Sequence, residues 1–448
     1  MEDSPATDDD SNPPMAADAP SLKMARASWV LLDWGASAFS TISITLLVAY
    51  VEKVAFAAAP WGVSGGVVWA WTLAAGMLVT AVVAPFLAAW ADRRRAHRAA
   101  LVGSILLGCA GAFLLGGLPS SARVGIVAGV VLGAVGFDLA AIFTGSLLPR
   151  IARGAEADRL SALGYAAGYA GGALALLAAL QVYAARDRLG LDAPGALLFA
   201  FVIMGAWWLL FSVPSFFARF GAAGDAGHSA SSAGELAAFA RELARGRGAE
   251  KGVGAVLAGS VLLLGAMQTA IAQFSSVALE EFSLEADQLV WLVLLVQAVA
   301  LPGALAVGWL STRRGRTFAL GVALAGWVAV FVLGWFVRTT GQLWALAVLL
   351  ALVLGGAASV IRAAVAVLAP PGRYGTTFGL LNVGSKLAGS MASLVFGWVY
   401  QLTGHPRSGL LALVVQIMVG WWLVARAGGA ALDRAGGATE GEGPTCGA

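Results

Sequence analysis

Apolar residues occupy most of the chain, in twelve blocks that are separated by short polar segments. A helix of about 20 apolar residues crosses the ~30 Å hydrocarbon core of a bilayer and satisfies its own backbone hydrogen bonds there. The blocks therefore predict an all-α membrane protein with twelve transmembrane helices. The predicted spans lie near residues 28–50, 66–91, 99–118, 124–147, 160–184, 195–217, 253–279, 287–310, 317–338, 342–369, 375–401 and 407–426.

One long polar stretch, 218–252, divides the spans into two sets of six. The chain is thus predicted to begin with a disordered cytoplasmic tail (1–27) and a six-helix half (28–217). A cytoplasmic linker (218–252), a second six-helix half (253–426) and a second disordered tail (427–448) follow. Within the linker, apolar residues recur at helical spacing behind a capping-box pair. These residues are Ser232, Glu235, Leu236, Phe239, Ala240 and Leu243. They predict a short amphipathic helix, either on the membrane surface or within an ordinary tether.

Composition supports this class and sets the topology. The chain is 59% hydrophobic and 12% charged, which is far too apolar for a soluble protein. Alternate loops carry 20 and 6 of its 28 Lys and Arg residues, so both termini and the linker are predicted to be cytoplasmic. We expect a multi-pass protein of the plasma membrane, which is the inner membrane if the source is bacterial, with no nucleic-acid partner. Cys109 lies inside a predicted span and Cys446 in the C-terminal tail, while the three histidines lie in predicted loops, so no disulfide, metal site or cofactor is indicated.

Two short basic loops occupy equivalent places in the halves: ADRRRAHR at 91–98 and STRRGRT at 311–317. They resemble the loop signature of the major facilitator superfamily, G-x-x-x-D-R-x-G-R-R. The matching residues are Asp92 and Arg93 in the first copy, and Gly308, Gly315 and Arg316 in the second. Each copy departs elsewhere, with Ala88, Arg95 and Thr312 at signature positions. The resemblance implies two halves with pseudo-two-fold symmetry, and it implies that these loops act as conformational gates.

Three longer segments resemble one branch of that superfamily, the autophagy-related vacuolar effluxers and their bacterial "unknown major facilitator" relatives. They are LLDWGASAF at 31–39, LSALGYAAGYAGG at 160–172 and PPGRYGTTFGLLNVGSKLAGSMASLVFGWVYQLTG at 370–404. Gly35 and Ala36 depart from the family's usual Ala and Asn. The resemblance implies a central cavity lined by spans one, four, seven and ten and flanked by eleven. It also implies a permease, with amino-acid efflux as one candidate activity.

Four charged residues lie inside predicted spans: Asp33, Asp138, Arg362 and Lys386. A charge at a helix centre costs ~3 kcal/mol, so each one needs a partner or a wet cavity. Asp33 is predicted near the cytoplasmic end of span one, while Lys386 is the closest to the membrane midplane. The charges either form permanent interhelical pairs or bind a solute.

Polar residues at helical spacing extend two of these positions. Asp33, Ser37, Thr41 and Thr45 form a stripe on span one, and Asn382, Lys386, Ser390 and Ser393 form one on span eleven. Gln268 of span seven is a further candidate for the solute pathway. Gly164, Gly168 and Gly172 form a small-residue ridge on span five, which predicts close helix packing, with the surface between the halves as one location.

These features predict a monomeric secondary active or facilitated transporter of a small solute, working by alternating access in the lipid bilayer. The partners are a small-molecule substrate and, if the transport is coupled, a proton. A drug, peptide or sugar is an alternative substrate class. A non-transporting membrane receptor or scaffold is the alternative from another class. A membrane enzyme would need a nucleophile, a metal cluster or paired carboxylates, and the sequence offers none of these together.

Overall fold

The computed structural model describes residues 19–94, 96–152, 155–218, 220, 233–245, 249–314, 316–368 and 374–437. Every regular element in these ranges is helical. The helices are α1 (Ala19–Ile42, continuing through Ser43–Leu47, Val48–Tyr50 and Val51–Ala55), α2 (Gly65–Arg93), α3 (His97–Gly117), α4 (Arg123–Ile151), α5 (Ala155–Ala184), α6 (Ala193–Phe217), α7 (Ala233–Arg245), α8 (Ala249–Glu281), α9 (Ala286–Arg314), α10 (Arg316–Phe336), α11 (Thr340–Leu368), α12 (Tyr374–Thr403) and α13 (Pro406–Gly437).

The predicted fold class is confirmed, and each predicted span corresponds to a long helix. Among the described residues, ten helices are long and apolar enough to cross a bilayer. The other two predicted spans are α9, of 29 residues, and α12, of 30 residues. The apolar stretch of α9 covers Asp287–Ala300. Helix α12 is less apolar because it carries Asn382, Ser385, Lys386, Ser390 and Ser393.

Two predicted tail boundaries differ from the structure. Helix α1 begins at Ala19, so residues 19–27 are helical rather than disordered. They are held because Ala25 is fully buried and Arg26 Nε donates to the carbonyl oxygen of Ile151 at 2.9 Å. Helix α13 continues to Gly437, so residues 427–437 are also helical. This extension carries four alanines, which favour a helix, and four glycines, which disfavour one, so local propensity alone does not account for it.

The helices form two similar halves, α1–α6 and α8–α13, joined by α7. In each half the first helix packs against the fifth and sixth, α1 on α5 and α6, and α8 on α12 and α13. Because the helices alternate in direction, both ends of the described chain and the linker helix lie at one end of the bundle. We call this the linker end. The closed end is the opposite one, and it holds the loop 56–64 and the C-terminal ends of α8 and α12.

The halves share a hydrophobic core at the closed end. The core of the first half continues into residues of the second half that lie near that end, including Leu279, Leu289 and Leu343. A separate core, which includes Leu257, Leu320 and Leu381, belongs to the second half and the linker helix. Apolar packing between the halves is therefore concentrated at the closed end, and this feature gives that end its name.

The linker helix α7 packs on the second half. Leu243 is buried, and a Cβ atom at Gly254 of α8 would lie 3.0 Å from the carbonyl oxygen of Leu243. Ala240 and Leu243 also border an apolar cavity of about 540 Å³ between α7, α8 and α12, which Leu257, Val261 and Leu380 help to line. Of the other predicted helix residues, Ser232 and the side chains of Glu235, Leu236 and Phe239 lie outside the described part of the chain.

Helix α1 is not a regular α-helix over its last third. It contains two π-helical turns, Ser43–Leu47 and Val51–Ala55, separated by Val48–Tyr50. The Thr45 hydroxyl donates to the carbonyl oxygens of Thr41 at 2.7 Å and Ile42 at 3.2 Å, as hydroxyls in membrane helices commonly do. A π-helical turn holds more residues per turn than an α-helix, so it rotates every later side chain relative to the regular pattern.

Candidate functional site

Lys386 of α12 forms the central polar contact between the halves. Its Nζ donates to Asp138 Oδ1 of α4 at 2.7 Å and to Gln268 Oε1 of α8 at 3.1 Å. The side chains of Lys386 and Asp138 are 21% and 12% exposed, so the protein does not fully enclose either end of the ion pair. A charge-assisted hydrogen bond of this length is strong, and it compensates two charges that would be costly alone in a membrane.

The polar stripe of α12 continues from Lys386 toward the closed end. The Ser390 hydroxyl donates to the carbonyl oxygen of Ala74 in α2 at 2.8 Å. The Ser393 hydroxyl lies 3.2 Å from that of Thr269 in α8. Asn382, at the start of the stripe, is exposed, and its carbonyl oxygen accepts from the Ser385 hydroxyl. The middle of the stripe therefore faces the other half, with Lys386 bonded to α4 and Ser390 to α2, whereas Ser393 contacts α8 of its own half.

The stripe of α1 packs against the glycine ridge of α5. Gly164 lies against the Asp33 carboxylate, Gly168 against the Ser37 hydroxyl and Gly172 against the Thr41 hydroxyl; a Cβ atom at Gly168 would be 2.7 Å from Ser37 Oγ. The ridge thus joins two helices of the same half and does not lie between the halves. Glycine is required because the polar side chains of α1 occupy the space that a Cβ atom would fill.

Thr41 also belongs to the boundary between the halves. Gln297 Nε2 of α9 donates to Thr41 Oγ1 at 3.4 Å. The α1 stripe is therefore mostly a packing surface, with a cross-half hydrogen bond at Thr41. Sequence periodicity predicted the polar face correctly, but it did not show that α5 covers this face.

Asp33 lies deeper in the bundle than the sequence predicted, because α1 begins at Ala19. Trp29 Nε1 donates to the carbonyl oxygen of Thr144 at 2.8 Å, which aligns α1 with α4. Asp33 is one turn beyond Trp29, about 6 Å, and Asp138 is six residues before Thr144, about 9 Å, so the two carboxylates lie at similar depth. Among the described residues, the Asp33 carboxylate has no hydrogen-bond or ion-pair partner.

The described contacts do not place the other predicted site residues beside Lys386, Asp138 and Gln268. Arg362 is part of α11, six residues before Leu368, and its side chain lies outside the described part. The loop residues lie at the linker end: Asp92 and Arg93 end α2, Gly308 lies within α9, and Arg316 begins α10. Arg93 is exposed. Gly315 and the side chains of Asp92 and Arg316 are outside the described residues.

Sequence analysis missed Glu52, a buried carboxyl group at the closed end. It lies in the second π-helical turn of α1, beyond the predicted end of span one at residue 50, and it is 2% exposed. Gly65 and Gly66 of α2 pack directly on it: a Cβ atom at Gly65 would lie 2.5 Å from Glu52 Cα. The only sequence signal was an acidic residue at the margin of an apolar block. Acidic residues are also common in loops at such positions, so this signal did not distinguish Glu52 from a loop residue.

The polar contacts across the boundary extend from Lys386 to the closed end. Besides those of Lys386, Ser390 and Gln297, they include three others near the loop 56–64. These are Trp69 Nε1 to the Ala272 carbonyl oxygen at 3.3 Å, Lys53 to Glu280 at 3.5 Å and Gln401 Nε2 to the Gly62 carbonyl oxygen at 3.4 Å. Polar contacts and the shared core thus close the same end of the bundle.

Comparison with known proteins identifies the family. The family model described as "Vacuole effluxer Atg22 like" matches residues 67–427. The chain belongs to the Atg22-like vacuole effluxer family. This family member is 25% identical over 401 residues to the uncharacterised MFS-type transporter YxiO of Bacillus subtilis, covering 88% of this chain and 92% of that protein. It is 29% identical over 153 residues to autophagy-related protein 22 of Cryptococcus neoformans, covering 31% of this chain and 28% of that protein.

Solved structures show that the fold is that of the major facilitator superfamily. A peptide transporter POT aligns with a TM-score of 0.65 at 16% identity, covering 94% of this chain and 97% of that one. The nucleoside transporter NupG aligns with a TM-score of 0.64 at 13% identity, covering 91% and 98%. The human organic anion transporter MFSD10 aligns with a TM-score of 0.60 at 17% identity, covering 91% and 100%. At these identities the likeness concerns the fold alone.

Proposed function

We propose that this chain transports a small zwitterionic solute across the membrane by alternating access, with amino acids as the substrate class and efflux as the direction. One observation carries the proposal: the Lys386–Asp138 ion pair joins the two halves at a point that the protein does not fully enclose, next to Gln268. The family, described as vacuole effluxers, and the fold of its solved relatives support it.

The ion pair suits a zwitterion because each of its ends offers the charge that the solute needs. A solute carboxylate would accept hydrogen bonds from Lys386 Nζ in place of Asp138. The solute ammonium would then bind Asp138, with the unpartnered Asp33 carboxylate at similar depth as a second acceptor. Every charge stays compensated when the solute enters, so the site does not expose a bare charge to the low-dielectric interior.

Exchange of the pair for a solute also links binding to movement of the halves. Asp138 belongs to the first half, whereas Lys386 and Gln268 belong to the second. Their direct bond holds the halves together, and a bound solute would replace it by a bridge of different length. In this proposal, a bundle that is closed at one end and leaves the pair partly exposed would be one of the two states that alternating access requires.

Counterflow in liposomes tests the substrate class. Purified protein in vesicles loaded with an unlabelled amino acid should accumulate the same labelled amino acid, whereas protein-free vesicles should not. The matched competitors are its methyl ester, which lacks the carboxylate, and its N-acetyl derivative, which lacks the ammonium; both should compete weakly. Strong competition by sugars or uncharged drugs would contradict the zwitterion site. Absence of counterflow across a broad panel would favour a receptor or scaffold.

The orientation of the closed end is tested by topology reporters. Twenty of the 28 Lys and Arg residues lie on the side that holds the termini and the linker, so that side is expected to be cytoplasmic. A reporter inserted after Gly227 and another fused after Ala448 should both report the cytoplasm. The closed end would then face the opposite compartment. Opposite results for the two fusions would imply an odd number of spans in the second half.

A further inference from the structure

Glu52 places a carboxyl group in the buried packing of the closed end. Its side chain is 2% exposed, and neither carboxyl oxygen has a hydrogen-bond partner of good geometry. The hydroxyl of Ser276, itself fully buried in α8, is adjacent to it. Gly66 lies against both groups: a Cβ atom there would be 3.3 Å from Glu52 Oε1 and 2.8 Å from Ser276 Oγ. The carboxyl group is therefore enclosed by α1, α2 and α8.

The charges around Glu52 do not compensate it. Lys53, on the same π-helical turn, forms its ion pair with Glu280 of α8 at the surface, where its side chain is 45% exposed. Tyr400 of α12 contributes an aromatic ring that a Cβ atom at Gly66 would meet at 2.7 Å. No cation lies within ion-pair distance of Glu52 among the described residues.

The cations farther along the closed end have other partners. Arg407 Nε lies 2.9 Å from Glu281 Oε2, and its Nη1 donates to the Val337 carbonyl oxygen at 2.7 Å. His405 Nδ1 lies 3.8 Å from the same Glu281. Arg123 Nε of α4 donates to the carbonyl oxygen of Ala55, three residues beyond Glu52, at 3.0 Å, and Arg338 Nη1 donates to the carbonyl oxygen of Trp335 at 2.8 Å. An ionised Glu52 would be a buried, uncompensated charge, which is among the most costly groups to enclose.

We infer that Glu52 is a proton-binding site that is filled when the closed end is sealed and emptied when that end opens. Closing takes one proton from solution and forms the neutral carboxylic acid. Opening admits water to the carboxyl group, which then releases the proton as the carboxylate. The inference rests on the alternating movement in the proposed function, and it adds a chemically defined second ligand, the proton, at a site away from Lys386.

The expected pH dependence has a definite sign. Low pH supplies the proton and favours the closed state, whereas high pH removes it and favours opening. When a single proton is coupled to the transition, the ratio of open to closed molecules changes by up to about tenfold per pH unit. This ratio can be measured without any solute, so the test does not depend on knowing the substrate.

The experiment measures a distance across the closed end in the full-length protein in nanodiscs. Spin labels at Ala57→Cys and Thr339→Cys, with Cys109 and Cys446 replaced by alanine, report the separation of the halves by pulsed electron spin resonance. In the otherwise unchanged protein the open population should rise with pH. Glu52→Gln has nearly the same shape as the neutral acid, so it should stay closed across the range. The matched control is Glu280→Gln, which makes the same chemical change at a 29% exposed carboxylate and should keep the pH dependence.

A second measurement detects the proton itself. Infrared difference spectra between high and low pH should contain the carbonyl band of a protonated, buried carboxylic acid, and Glu52→Gln should lose it while Glu280→Gln retains it. A closed end with no pH response in the unmodified protein, or an equal response in Glu52→Gln, would overturn the inference. If counterflow fails for every solute while the pH response and the band follow Glu52, the proton site stands and the proposed substrate class does not.

Discussion

Lys386→Met is expected to weaken binding of the transported solute at least about thirtyfold while the protein still folds and inserts. The ammonium group is the single cation of the described contacts at the centre of the boundary, where it binds Asp138 and Gln268. A hydrogen bond to a charged group contributes about 2 kcal/mol, which corresponds to this factor. Methionine keeps the length and the apolar stem of the side chain, so little packing is lost. Ligand-dependent thermal shift and counterflow measure the two effects separately.

A permanent structural pair predicts a different outcome for the same variant. Removal of Lys386 would leave Asp138 as a largely buried, unpaired charge and lower the free energy of unfolding by about 3 kcal/mol. Neutralising both groups, as Lys386→Met with Asp138→Asn, would then restore stability and much of the transport. A recovered double variant would show that the pair is structural. A stable single variant that no longer binds the solute supports the ligand role.

Lys53→Met is the matched control for the lysine substitution. It makes the same chemical change in another ion pair that joins the halves, Lys53–Glu280, whose side chains are 45% and 29% exposed. Exposed ion pairs contribute between about 0 and 1 kcal/mol, so both stability and solute binding should change little. A loss of binding as large as that of Lys386→Met would mean that any broken bridge between the halves abolishes binding, and it would contradict a specific role for Lys386.

Gly66→Ala is expected to shift the protein away from the closed state. The added methyl group would lie 2.7 Å from Tyr400 Cε1 and 2.8 Å from Ser276 Oγ, so α2 and α12 cannot keep their present separation. Overpacking of this kind costs about 2 kcal/mol, which changes the ratio of open to closed molecules roughly thirtyfold. Spin-label distances across the closed end give the population. Counterflow should slow, because the cycle must pass through the closed state.

The control for Gly66→Ala is Gly103→Ala on α3. Gly103 is exposed within a helix, and a Cβ atom there would meet no atom within 4 Å. The substitution changes the same residue type without creating an overlap, so the closed population and the counterflow rate should both be retained. An unchanged closed population in Gly66→Ala would show that Tyr400 and Ser276 move aside at little cost, and that the seal does not depend on this glycine.

The polar stripes show how far sequence periodicity predicts the site. A 3.6-residue repeat places Asn382, Lys386 and Ser390 on one face of a helix whatever surrounds it. The same repeat cannot say which helix covers that face. Lys386 meets a carboxylate 248 positions away in the chain. On α1 the equivalent stripe is covered mainly by the glycines of α5, although both stripes look alike in sequence.

Glu52 shows a second limit. It follows Thr45 by seven residues, which on a regular α-helix would place both on one face. Thr45 lies in the first π-helical turn and Glu52 in the second, and each turn rotates the residues after it away from the regular repeat. The turns themselves leave no clear composition signal, because the segment from 43 to 55 is mostly apolar. Both the length of α1 and the direction of Glu52 therefore depended on packing against α2 and α8.

By itself, the sequence determined the membrane class, the positions of the spans, the division into two halves and, apart from Glu52, which charged residues lie inside the spans. These properties depend on local hydrophobicity, helical period and the cost of charge in lipid, which act along a single segment. The tertiary structure alone decided which charges pair, which end of the bundle is closed and that Glu52 is enclosed. Those properties depend on close approach of helices from different halves. Such contacts are made between residues hundreds of positions apart, and a local pattern carries no information about them.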